Sequence, residues 1–290
     1  MKGKITALFL AFLFVVAALG PVYAQAQEGD VIVVLGQDLS EADKDKLREN
    51  FGVTKETPTV EVTNAEEYQY LGNYMPAEKI GSQALSSARL RYLAKGSGIH
   101  VETSDKIRYI TPAMYKNALA TAGVEDVEVY VDCTMNVSGS AALTGLLKAH
   151  EASTGQPISE DIKQVANEEL VVTSSLSDSI GAQEAADLIE TAKVAIAENA
   201  PKTKEEVRSI VINVAGDLNI NLSPDQEDQV VNFLDGLRQV DIDWAAVKDQ
   251  AGDLVGQAKD YLSSEEGQSF LAGLRDAINS FFDWLMGLFN

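Results

Sequence analysis

The stretch VEVYVDCTMNVSGSAALTGLLKAHEASTGQPISEDIKQVANEEL, residues 127–170, changes its period halfway along. Val127, Val129 and Val131 alternate with polar neighbours, which is the pattern of a strand. The small residues Val137-Ser138-Gly139-Ser140 follow as a turn. Ser140 to Glu151 then reads as a helix, and Thr154-Gly155-Gln156-Pro157 stops it. Ser159 caps a second helical run through Ile162, Val165, Ala166 and Leu170. The change divides the chain near Gln156, with strands and helices before it and helices alone after it. This predicts an α+β or α/β class: a mixed α/β domain over 28–156, then an all-helical C-terminal domain over 157–240.

Upstream, Val31 to Gly36 is a β-branched run that reads as a buried strand. Ser40, with Glu41 and Asp43 in the first turn, starts a helix that ends at Phe51-Gly52. Thr57 to Thr63 alternates, and Asn64 is expected to cap a short helix carrying Tyr68 and Leu71. Residues 84–104 read as a β-hairpin turning at Lys95-Gly96-Ser97-Gly98. Thr111-Pro112 opens a helix that Ala122-Gly123 closes. Downstream, Ala182 to Glu198 is helical. Thr203-Lys204-Glu205-Glu206 and Ser223-Pro224-Asp225-Gln226 open two more helices. Trp244 to Tyr261 and Phe270 to Leu285 repeat apolar residues at helical spacing, predicting an amphipathic hairpin over 241–290.

The first residues read as an address. Lys2 and Lys4 precede the apolar run Ile5 to Leu19, and Gly20-Pro21 breaks it. Cleavage is expected after Ala24, with Ala26 as a competing site, so 1–24 is a signal peptide and the protein is secreted. The run is shorter than the ~20 residues that span a bilayer.

The 290 residues include 44 acidic and 23 basic side chains, a net charge of −21. This acidity argues against nucleic acid as a partner. A single cysteine, Cys133, excludes an internal disulfide, and an exported chain so poor in cysteine suits a Gram-positive bacterium. Cys133 falls in the strand-like run and reads as a buried thiol. With two histidines, His100 and His150, no metal site or cofactor is expected. Asp217, Asn219, Asn221, Ser223, Asp225 and Asp228 have the spacing of an EF-hand loop. The turn glycine is replaced by Leu222, so Ser223 reads as a helix cap.

The charge is uneven. Residues 150–290 hold 9 basic and 26 acidic groups, net −17. Residues 79–116 hold 7 basic and 2 acidic groups, net +5. Arg89 and Arg91 share one face of a strand. The start of the helix at Ser138, Gly139 and Ser140 offers free N–H groups suited to an anion. Together these five residues are the candidate anion site, open to a phosphate or carboxylate of a wall polymer. No catalytic signature is present: neither G-x-S-x-G, S-x-x-K, H-E-x-x-H, a Walker A loop nor G-x-G-x-x-G. No catalytic residue is singled out.

Val137-Ser138-Gly139-Ser140-Ala141-Ala142-Leu143-Thr144-Gly145, the stretch from Tyr115-Lys116-Asn117-Ala118-Leu119 to Val124, and the start Gly29 to Gly36 resemble the YpuA-like secreted proteins. That family, DUF1002, is a domain of unknown function from Gram-positive spore formers. The resemblance runs from about Gly29 to Leu237. It implies export and a two-part architecture, and it brings no catalytic residues to transfer. The expected role is a non-catalytic module of the cell envelope that binds an envelope polymer or a protein. The alternatives are a carboxylate-dependent hydrolase of wall material and a membrane-peripheral factor held by Phe270–Asn290, the one expected membrane contact.

Overall fold

The structure, a computed structural model, describes residues 26–250. The expected leader, most of the expected C-terminal hairpin and the Phe270–Asn290 segment lie outside the described residues. No helix among the described residues is long and apolar enough to cross a membrane.

Five strands form one mixed sheet: β1 (Val31–Gly36), β2 (Thr59–Val62), β3 (Ser87–Tyr92), β4 (Ile99–Thr103) and β5 (Val127–Asp132). Their order is β2-β1-β3-β5-β4. β1 pairs in parallel with β2 and antiparallel with β3. β5 pairs antiparallel with β3 and in parallel with β4. The two strands expected to form a hairpin are therefore consecutive but not paired, because β5 lies between them. Val127, Val129 and Val131 are fully buried in β5. A central strand buried on this scale outcompetes the local turn at Gly96 for the pairing position.

Alternation splits the sheet into two faces. Ile32, Val34, Ala88, Leu90, Val129 and Val131 face α4 (Pro112–Thr121) and α5 (Ser140–Thr154) in the larger core. Val33 and Leu35 face α1 (Glu41–Asn50) with Leu47, Phe51 and Cys133. Gly145 permits α5 to lie close on β1, since a Cβ there would fall 2.1 Å from Val34 Cγ1. Cys133 is buried, and burial pushes its thiol up.

The helix starts follow their caps. Ser40, Thr111 and Ser159 each accept from a backbone N–H one turn on, and Thr203 and Ser223 complete capping boxes. Ser223 thus serves the helix start, as read from the lost EF-hand glycine. α2 (Asn64–Leu71) differs by one residue: Thr63 is its cap, boxed with Glu66. The short α3 (Ala77–Ile80) follows.

From Gln156 to Gln250 the described residues are helical: α6 (Glu160–Ile180), α7 (Ala182–Asn199), α8 (Lys204–Asp217), α9 (Pro224–Leu237) and α10 (Trp244–Gln250). α6 serves both halves. Ala166, Leu170 and Val171 join the sheet core, while Val165, Val172 and Leu176 join the core of the later helices. Lys193 of α7 reinforces the junction. Its Nζ donates to Glu169 Oε1 (2.5 Å), Thr121 Oγ1 (2.9 Å) and the Asn117 carbonyl (3.1 Å). Thr121 donates in turn to Glu169 Oε2. The network ties α4, α6 and α7 together in the interior.

Candidate functional site

The sequence places five residues in an anion site, and the structure separates them into two groups. Arg89 and Arg91 lie on the α1 face of β3. Arg89 Nη2 and Arg91 Nη2 both donate to the Glu128 carboxylate, at 2.5 and 2.6 Å. Arg89 Nη1 also donates to the Phe51 carbonyl. The register explains the clamp: Arg91 sits directly opposite Glu128 on β5. Arg89 and Arg91 are thus engaged by one of the chain's own acids, and they do not meet the serine turn.

Ser138, Gly139 and Ser140 form the start of α5 on the other side of the sheet. Gly139 has φ +106°, and a Cβ there would fall 2.6 Å from Tyr115 Oη. Only glycine suits that position. The buried Tyr115 hydroxyl donates to the Gly139 carbonyl (2.5 Å) and fixes the turn from beneath. Ser86 Oγ, from the segment leading into β3, accepts from the Ala142 N–H (3.0 Å).

The helix start faces an anion that belongs to the protein. Ser140 Oγ donates to Glu67 Oε1 at 2.8 Å, and Asn64 Nδ2 donates to Glu67 Oε2 at 3.2 Å. Ser138 Oγ lies 3.0 Å from Ser140 Oγ. Because the Ser140 proton is committed to Glu67, Ser138 is the donor of that pair. Glu67 is 1% exposed. Burial pushes its carboxyl up to about 7, opposed by the Ser140 and Asn64 hydrogen bonds and reinforced by the charge of Asp38.

Glu67 and the serines line a cavity of about 240 Å³, with Lys79, Ser86 and Gln83 among its other walls. The Lys79 ammonium stands 3.8 Å from the Tyr109 ring centroid. The rim is pinned where Tyr68 Oη and Asn64 Nδ2 donate to the Gly81 carbonyl. The cavity therefore offers a buried carboxyl, free hydroxyl capacity and one ammonium group. That set can hydrogen-bond a polar group, and its carboxyl is raised toward neutrality by burial. No cluster of three metal-ligating side chains occurs among the described residues.

Sequence reasoning found the serine turn and missed Glu67 and Lys79. One signal for Glu67 was available. It sits four residues before Leu71, so it shares the buried face of α2. An acid at such a position needs a special environment.

The family model for "Protein of unknown function (DUF1002)" matches residues 35–254. The chain belongs to the DUF1002 family. This DUF1002 chain is also similar to the "Uncharacterized protein YpuA" of Bacillus subtilis (strain 168), at 45% identity over 267 residues, covering 92% of each chain. No solved structure matches it significantly. Glu67, Lys79 and the serine turn all fall inside the DUF1002 match.

Proposed function

We propose that this protein is an exported component of the cell envelope that works by binding, and that the cavity beside Glu67 is its binding site. The observation that carries the reading is a fully buried carboxyl on the wall of a cavity with both polar and apolar lining, held by Ser140 and Asn64 without an ion-pair partner among the described residues. A carboxyl buried without a counter-charge is expensive to ionise, and such groups gather at functional sites. Export rests on the leader-like residues 1–24, and an envelope polymer or protein is the expected partner.

The test combines binding with turnover. Soluble wall fragments are added to ¹⁵N-labelled protein, and the same mixtures are searched for products. The reading predicts shifts confined to the Glu67–Lys79–Ser138 region and unchanged fragments. The absence of any shift in that region would refute it. Export is checked separately by finding the processed chain, cut near residue 24 or 26, outside the cell.

One observation favours a second reading. A carboxyl raised to about 7 has the proton affinity of a general acid at neutral pH. If wall fragments are cleaved and Glu67→Gln abolishes the cleavage, the hydrolase reading replaces the binding one.

A further inference from the structure

Two charged side chains line the cavity, Glu67 in its wall and Lys79 at its exposed edge. Neither has an ion-pair partner among the described residues. The fully buried Lys193 shows what the fold does elsewhere, since it meets the Glu169 carboxylate directly. Lys79 is instead held over Tyr109, which orients its ammonium without neutralising it.

Three ligand classes fit this arrangement poorly. A free anion at the start of α5 would stand beside the Glu67 carboxylate, which already occupies that position. A simple cation would satisfy Glu67 and be repelled by Lys79. A neutral polyol would leave both charges uncompensated. Opposite charges on the walls of one cavity call for opposite charges on one ligand. The volume, about 240 Å³, is below the ~300–1,000 Å³ typical of sites for drug-sized ligands.

We infer that the cavity binds a small zwitterion of the α-amino-acid class, with its ammonium group against Glu67 and Ser138 and its carboxylate toward Lys79. The inference rests on the binding reading above and names the ligand class for the same site. The ammonium replaces the missing counter-charge of a desolvated carboxylate. The carboxylate replaces water on a lysine that the tyrosine ring holds in place.

Binding by this arrangement carries a pH signature. The groups facing Glu67 are Asn64 from α2 itself, Ser140 from α5, Tyr115 from α4 and Asp38 from the loop after β1, while Lys79 from α3 lines the same cavity. Among them Glu67 is the group placed to change charge near neutrality. An ammonium ligand binds its ionised form and displaces a proton. Affinity should therefore fall by up to about tenfold per pH unit below pH 7 and level off above it.

The test is calorimetric titration of the full chain with the common α-amino acids of both hands. Each is compared with its N-acetylated form, which lacks the ammonium, and its amide, which lacks the carboxylate. At least one amino acid should bind with a Kd of about 1 mM or tighter. Both capped forms should bind at least tenfold more weakly. Glu67→Gln should lose at least tenfold in affinity. Lys79→Ala, at an exposed position where folding is not at risk, should also weaken binding. Equal binding of an N-acetylated form, unchanged affinity in both variants, or no binding by any amino acid would overturn the inference. If wall fragments still shift the cavity residues in that last case, the binding reading survives and the zwitterion assignment alone fails. If they do not, both fail.

Discussion

Replacing Lys193 by Met is the sharpest test of how the two halves are joined. The wild-type ammonium makes three hydrogen bonds, to Glu169, Thr121 and Asn117. Lys193→Met keeps an unbranched side chain one atom shorter and removes all three. Glu169, fully buried, is left with the Thr121 hydroxyl alone. Breaking one side of a buried pair costs about 3–5 kcal/mol, because the remaining charge has no compensation. In a chain of this length each kcal/mol lowers Tm by roughly 2–4 °C, so the fall should be about 6–20 °C. Burial already raises the Glu169 carboxyl, and losing the lysine pushes it further in the same direction. The folded variant therefore binds a proton that the unfolded chain releases, and its deficit should shrink as pH falls from 8 to 5. Removing the whole network with Lys193→Met, Glu169→Met and Thr121→Val should recover most of the loss, since apolar replacements carry no unpaired groups. Urea unfolding followed by circular dichroism reads both variants through the shift in midpoint at constant m-value. A single variant within about 1 kcal/mol of wild type would refute the reasoning, as would a triple variant no better than the single.

Further outcomes follow from the site and from the clamp on β3. Because the folded carboxyl of Glu67 is raised to about 7, the native state holds one more proton than the unfolded chain between roughly pH 4.5 and 7. The contribution of Glu67 should therefore fall by on the order of 3 kcal/mol as pH rises across that window and then stay level, read in urea unfolding as the difference between wild type and Glu67→Gln at each pH. Gly139→Ala must accommodate a φ of +106° and a Cβ 2.6 Å from Tyr115 Oη. A loss of about 1–3 kcal/mol is expected from the backbone strain alone, measured by thermal unfolding. Arg91→Ala, removing a half-exposed partner of Glu128, should cost less than about 1 kcal/mol. Arg89→Ala should cost more in the same assay, because it also strips the Phe51 carbonyl of a donor.

Much of the architecture is legible from periodicity and caps. The valine alternation of β5 and the caps at Ser40, Thr111, Ser159, Thr203 and Ser223 are local signals, and each element stands where those signals place it. The pairing of β3 with β5 instead of β4 is different in kind. It is decided by burial between segments about 40 residues apart, which no local turn signal reports. The same distinction governs the site. Gly139 and its serines are visible as a helix start, whereas Glu67 reaches them from 73 residues away. Arg89 and Arg91 were conspicuous for their charge, and cross-strand register assigned that charge to Glu128. An excess of basic residues in a sequence window says nothing of the acids that the fold brings opposite them.

Glu67 is a desolvated carboxyl, and on the proposal above it stands ready for a charged ligand. Titrating the side-chain ¹³C carboxyl signal of Glu67 by NMR, alone and with a saturating amino acid, tests it directly. The midpoint should lie at about 7 in the free protein and move to lower pH when the ligand is added. A midpoint in the ordinary glutamate range, or one that no amino acid moves, would contradict it.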